Sequence, residues 1–299
     1  MSTLPSPLSV KIMDEIKHNY IEVDGLKLHI AEIGSESSPP VVFLHGFPEI
    51  WYTWRHQMIA VANADTASIL SSLAISKVFV IGKDFGAMVA YTFALFYPEK
   101  VAGVITLGVP FMPPGGLKHH QTLPEGFYTR RWQEPGRAEA DFGRFDAKTV
   151  VKNIYILFSK SEIPIAPENQ EIMDLVDPST PLPSWFTEED LSTYGALYEK
   201  SGFQTALQVP YRSFKEKVES SKQNPTDPKV EAPALFIMGE KDYVFKFPGM
   251  EEYLKTGEVK KYVPNLEIIY VSEGSHFVHE QFPHRVNKLL LNFLNSNKF

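Results

Sequence analysis

Asp84 stands in the frame Gly82-Lys83-Asp84-Phe85-Gly86, between the β-branched run Val78–Ile81 and an apolar stretch with helical spacing. The pattern G-x-nucleophile-x-G describes a sharp strand-to-helix turn that lifts one side chain above a sheet, and it usually carries serine. Free N–H groups at the start of the helix point toward that side chain, and the flanking glycines suit a crowded turn. A serine there attacks acyl carbons. A carboxylate instead displaces a leaving group from a saturated carbon and leaves an alkyl ester on the protein. Water must then hydrolyse that ester, so Asp84 serves first as nucleophile and then as the acyl carbon under attack.

The second step needs a base and an acid to hold it. His276, in "EGSHFVHEQFP", follows one predicted strand, and Asp242, in "FIMGEKDYVF", follows the one before. His276 would take the proton of water, while Asp242 would fix its tautomer and stabilise the imidazolium. The oxyanion needs two donors: the backbone N–H of Phe85 and, from the loop after "VVFLHG", that of Phe47. Each residue also has a plainer reading. Asp84 could only cap a helix, Glu240 is a rival acid, and His45 reads as structural. His276 and His279 also spell H-x-x-H, a weak metal pattern without carboxylate support, so no metal is assigned. Against these stands a conjunction: nucleophile, acid and histidine occur in the order of α/β-hydrolases, each at a predicted strand end.

The elements that must hold these residues alternate as βαβ units. "HNYIEVDGLKLHIAEIG" has two alternating runs around Asp24-Gly25, a hairpin signal. "PPVVFLHGFP", "KVFVIG", "VAGVITLGVP", "APALFIMGEKD" and "LEIIYVSEGSH" read as strands, the first as a buried parallel one, and Phe85–Tyr97 as a helix. From Phe111 to about Pro228 the chain turns breaker-rich with helical patches. One of these, "WFTEEDLSTYGALYEKSGF", has Thr187 as N-cap and Asp190 at the capping-box position. A last amphipathic helix is expected from about Pro283 to Asn295. The expected architecture is α/β: a hydrolase core of mostly parallel sheet at 1–111 and 229–299, with a helical lid inserted at 112–228.

Composition narrows the function. The chain has 299 residues, 43% of them hydrophobic, enough for a substantial core. Its formal net charge of −7 gives no sign of nucleic-acid or anionic-membrane binding. No cysteine is present, which excludes disulfides and thiol chemistry. The N-terminal stretch lacks a secretory apolar region and no apolar run reaches the length of a membrane span, so a cytoplasmic protein is expected.

Several stretches resemble the plant-type soluble epoxide hydrolases: "HGFPEIWYTWRHQM", "GKDFGAMVAYTFAL", "TLGVPFMPPG", "GFYTRRWQEPGRAEADFGRFD" and "GSHFVHEQFP". The resemblance implies cofactor-free addition of water to a small apolar, lipid-derived epoxide, giving a vicinal diol, by a monomer or homodimer. It implies that Asp84 is the nucleophile, Asp242 the orienting acid and His276 the base. It further implies that Glu49 positions the hydrolytic water and that Tyr128 and Tyr211 are paired lid tyrosines. A phenol can donate to the alkoxide released when an epoxide opens. Trp51, Trp54, Phe111, Trp132 and Phe277 are apolar candidates for the pocket wall. Haloalkane dehalogenases share an aspartate elbow but need N–H donors for halide, and neither Phe47 nor Phe85 has a side-chain donor. A non-catalytic, ligand-binding version of the fold is the other alternative.

One stretch departs from this family. Between the HG loop and the elbow the fold calls for two βαβ passages, roughly 50 residues or more. Only "FPEIWYTWRHQMIAVANADTASILSSLAIS" lies between Gly46 and Lys77. A strand is missing after the first helix, near the Ala64–Asp65 junction. The N-terminal hairpin must then either re-pair with "VVFLHG" or detach, exposing edge groups and apolar faces. Reduced stability is the expected consequence.

Overall fold

The computed structural model describes residues 13–35, 39–64, 77–113, 123–212 and 227–298. Strands β1 (Lys17–Val23) and β2 (Leu26–Glu32) precede β3 (Val41–Leu44), helix α1 (Arg55–Asn63), β4 (Val78–Lys83), α2 (Phe85–Phe96) and β5 (Val101–Leu107). Helices α3 (Tyr128–Gln133), α4 (Arg137–Phe142), α5 (Ala147–Phe158), α6 (Glu188–Ser201) and α7 (Gln204–Leu207) follow. The chain closes with β6 (Ala234–Gly239), α8 (Met250–Lys255), β7 (Leu266–Val271), α9 (Val278–Gln281) and α10 (Pro283–Ser296). No described helix is long and apolar enough to cross a membrane.

Strands β3 to β7 form one parallel sheet in chain order, the α/β-hydrolase arrangement. Their near-continuous apolar runs suit a sheet covered on both faces. Alternation along each strand divides the side chains between two cores. Val80, Val104 and Phe236 pack with α2 and with the helices between β5 and β6. Phe79, Ile81, Ile105, Leu235 and Ile237 pack with α1 and α10 on the opposite face. Between β5 and β6 the described residues are helices and turns, apart from an isolated antiparallel bridge joining Phe127 and Ile165. Helix α6 starts as its sequence suggests: the Asp190 N–H donates to Thr187 Oγ1 at 3.0 Å, and the Thr187 N–H donates to Asp190 Oδ2 at 3.1 Å. Such a cap stabilises a helix by about 1 kcal/mol.

No described residue between α1 and β4 lies in a strand; residues 65–76, where the shortened passage falls, are outside the described set. Strand β3 pairs with β4 on one side and, among the described residues, is the edge strand on the other. The hairpin forms a two-stranded sheet of its own, with Asp24 at φ 49° and Gly25 at φ 80° in its turn. Of the two expected outcomes, detachment is the one observed. All of β1 is exposed, and Tyr20 and Leu26 keep 62% and 64% of their surface in solvent. Contact with the body comes through the His18 ring, 4.7 Å from that of Trp51, and through Ala31 and Ile33.

Candidate active site

Parallel strands share a direction, so the residues just past β4, β6 and β7 meet along one edge of the sheet. Asp84 follows β4 and adopts φ 54°, ψ −122°, a conformation unfavourable for a residue with a Cβ and here held by its surroundings. Its N–H donates to the Leu107 carbonyl of β5 at 3.1 Å. A methyl group on Gly82 would lie 2.4 Å from the Gly86 carbonyl oxygen, and one on Gly86 would lie 2.2 Å from that of Leu44. Both glycines are thus required by close backbone approach, and together they force the bend that presents Asp84.

The three groups meet in space. His276 Nε2 lies 3.4 Å from Asp84 Oδ2, and Nδ1 lies 3.0 Å from Asp242 Oδ2 and 3.1 Å from Oδ1. Asp242 is fixed in turn by the Val244 N–H, which donates to its Oδ1 at 3.0 Å. Glu240, the rival acid, is exposed. Of the three side chains Asp84 is the most accessible, at 11%, against 3% for His276 and 1% for Asp242. Burial disfavours the imidazolium, yet the adjacent Asp242 charge prevails and His276 is pushed up to about 9. Burial likewise opposes the Asp84 charge, but the His276 hydrogen bond and the Lys83 cation hold it below the ordinary carboxylate range.

The second oxygen of Asp84 faces a backbone donor. The Phe47 N–H points to Asp84 Oδ1 at 3.4 Å, and a backbone hydrogen bond from Phe85 lowers the same carboxyl. Above it stand the rings of Tyr211, 5.1 Å from Phe85 and 5.6 Å from Phe47, and Tyr128, 6.3 Å from Tyr211. Burial, with the Asp84 charge adding to it, drives the Tyr211 phenol well above its usual range. Trp132 joins this group, 5.2 Å from both tyrosines, and Phe277 lies 5.4 Å from the His276 ring. Glu49 is buried beside them, its Oε2 accepting the Gly46 N–H at 3.0 Å.

A family model for the alpha/beta hydrolase fold matches residues 59–283. Epoxide hydrolase 2 of Siraitia grosvenorii is 33% identical over 324 aligned positions, spanning 94% of this chain and 99% of that one. The solved structure of potato (Solanum tuberosum) epoxide hydrolase I superposes with a TM-score of 0.84 at 30% identity, covering 94% and 99%. The chain belongs to the plant-type epoxide hydrolases of the α/β-hydrolase family. A Vigna radiata epoxide hydrolase gives a TM-score of 0.83 at 30% identity over 95% of this chain and all of that one. The 324-position alignment with the Siraitia protein is longer than the 299 residues of this hydrolase, so it opens gaps in it, as a shortened passage requires.

Three predicted pocket residues are placed elsewhere in the enzyme. Trp51 packs against the hairpin, Trp54 lies in the opposite core against Phe43 and His279, and Phe111 packs between Tyr91 and Tyr262. Being aromatic and near a motif does not decide which face of the sheet a side chain joins. No group of three or more His, Cys, Asp or Glu that could hold a metal occurs among the described residues. His279 instead meets Thr53 Oγ1 at 2.7 Å.

Sequence reasoning missed two residues. Tyr243, directly after the acid, has its hydroxyl 2.9 Å from that of Tyr128 and its ring 5.0 Å from His276. Arg55 pairs with Glu280 at 2.6 Å and with Asp190 at 2.8 Å, tying helix α6 to α9, which begins two residues after His276. The signal for Tyr243 was its place beside Asp242; Arg55 carried none.

Proposed function

We propose that this enzyme adds water to an epoxide through an alkyl ester on Asp84, with 112–228 as the lid over the site. One observation carries the reading: the Asp84 carboxylate is divided between the His276 imidazole on Oδ2 and the Phe47 N–H on Oδ1. A carboxylate oxygen attacks an epoxide carbon and the carbon–oxygen ring bond breaks. The departing alkoxide accepts a hydrogen bond, then a proton, from Tyr128 or Tyr211. Burial makes these phenols reluctant acids, but an alkoxide is a stronger base than a phenolate, so transfer follows ring opening rather than preceding it.

Ester formation also changes the base. In the free enzyme the Asp84 charge helps hold the proton on His276. Esterification removes that partner, so the imidazolium returns a proton to the tyrosinate left by ring opening and, now neutral, can take one from water. Attack on the ester carbon places the oxyanion on Oδ1, where the Phe47 and Phe85 N–H groups receive it. Collapse expels the alkoxide, which takes the proton of the new carboxylic acid and leaves as the diol; carboxylate and imidazolium are restored, with one carboxylate oxygen drawn from water. The experiment is to treat a His276→Gln variant with a panel of aryl and fatty-acid epoxides and weigh the intact protein. A mass gain equal to the epoxide, localised to Asp84, is expected; no adduct with any epoxide rejects the mechanism.

A haloalkane reading keeps one supporting observation. The buried Trp132 Nε1 has no hydrogen-bond partner among the described residues and stands beside the tyrosines, where an indole N–H could meet a halide. Halide release from a haloalkane control at a rate matching epoxide turnover would favour it.

A further inference from the structure

We propose that Lys83 is a positioning residue for the hydrolytic step, its buried ammonium anchoring the Glu49 carboxylate as acceptor for the attacking water. The inference rests on the ester mechanism above. Lys83 is the last residue of β4 and shares its strand parity with Phe79 and Ile81, so its side chain enters the interior. It is 0% exposed. Lysine ordinarily keeps its charge in water by extending its stem, so a fully enclosed ammonium needs a local reason.

The reason lies in the charges around it. Lys83 Nζ is 3.3 Å from Glu49 Oε1 and 5.3 Å from the centre of the Phe277 ring. Neither Nζ nor Oε1 makes a hydrogen bond among the described residues, so both keep capacity for a further polar partner. A methyl group on Gly46 would lie 2.5 Å from Asp84 Oδ1 and 2.7 Å from Glu49 Oε2, so the two carboxylates converge on one point. Two neighbouring buried carboxylates do not both ionise readily without a cation.

Every charged neighbour of Glu49 bears on this balance. Burial pushes its carboxyl up, the Asp84 and Glu280 charges add to that, and Lys83 opposes it more strongly than His276; the result is about 7. His279 Nε2, 3.9 Å from Oε1, is kept neutral by burial and by the cations nearby. The Tyr155, Tyr198 and Tyr211 phenols are held neutral. Alkylation of Asp84 removes one of the like charges and leaves Lys83 facing Glu49 as the anion nearest it. The acceptor for water is thereby strengthened at the step that needs it.

The test is a pH profile of ester decay in wild type, Lys83→Met and Lys83→Gln. The enzyme is mixed with an aryl epoxide, quenched at intervals, and the ester read by intact mass. In wild type, decay slows as Glu49 becomes protonated, on a limb that lies below the free-enzyme value of about 7 because the Asp84 charge is gone from the ester. In the variants that limb moves up by about one pH unit or more, with decay about tenfold slower at neutral pH and ester formation much less affected. A second readout does not depend on turnover: infrared titration of the Glu49 carboxyl in free enzyme, assigned with Glu49→Gln. Its protonated band persists to higher pH in the Lys83 variants. An unmoved limb together with an unmoved carboxyl titration overturns the proposal. Absence of any ester in wild type rejects the ester mechanism instead, and the infrared titration alone then decides whether Lys83 holds Glu49 charged. Lys83→Gln serves where Lys83→Met does not fold.

Discussion

Strands β6 and β1 are both short, yet every residue of β6 is buried and every residue of β1 exposed. Strand β6 lies between β5 and β7 with a core on each face. Strand β1 pairs with β2 alone, leaving Tyr20, Ile21, Val23, Leu26 and Leu28 open to solvent. Both form hydrogen-bonded ladders, so backbone pairing does not explain the difference. A two-stranded hairpin is marginal by itself and depends on a surface to cover it. Among the described residues, the short passage between α1 and β4 supplies no strand against which that surface could be built.

If the sheet edge carries the chemistry and the hairpin is peripheral, substitutions in the two regions should differ by orders of magnitude. Asp84→Ala has the largest expected effect: turnover of an aryl epoxide falls by about 10⁴-fold or more, since no other group can form the ester. Retained turnover would break the comparison at its strongest point. Next is Gly86→Ala, whose new methyl group meets the Leu44 carbonyl oxygen at 2.2 Å with no flexible atom to yield. A loss of about 3 kcal/mol or more is expected in a urea melt.

Tyrosine substitutions sharpen the comparison within the site. Tyr128→Phe should lower the rate of ester formation by about 10- to 100-fold. Tyr243→Phe leaves Tyr128 its hydroxyl but removes that hydroxyl's partner, so a smaller loss in the same step is expected. Equal loss in both would make Tyr243 a full member of the acid system. Lengthening the passage between Asn63 and Lys77 so that it includes a further strand should raise the thermal midpoint by several degrees, about 1–2 kcal/mol in an enzyme of this size. Equal midpoints would show that the detached hairpin costs nothing. The smallest effect belongs to the hairpin surface. Leu26→Lys should change stability by less than about 0.5 kcal/mol and leave turnover unaltered, while reducing self-association at an exposed apolar edge.

Much of this enzyme was legible because the signals were local. The elbow needs only five consecutive residues, and the strand runs around it carry their own period. The Asp24-Gly25 turn and the Thr187 cap were readable for the same reason: each is complete within four residues. Asp190 shows where such reading stops. Its capping oxygen followed from spacing, but its other oxygen takes Arg55, which is 135 residues earlier in the chain. Trp51, Trp54 and Phe111 were drawn to the site by their type; the first two joined the core on the sheet's other side, and Phe111 stays in the core of the tyrosines but packs against Tyr91 and Tyr262.

The chain order of nucleophile, acid and histidine, and the strand before each, determined that a carboxylate-based hydrolase site would assemble, since parallel strands carry their ends to one edge. Folding alone decided what surrounds it: an ammonium sealed against Glu49, a third tyrosine on Tyr128, and a hairpin left in solvent. Those outcomes depend on which distant surfaces remain to be covered, and no local pattern records the distance between residues that meet only after the sheet has closed.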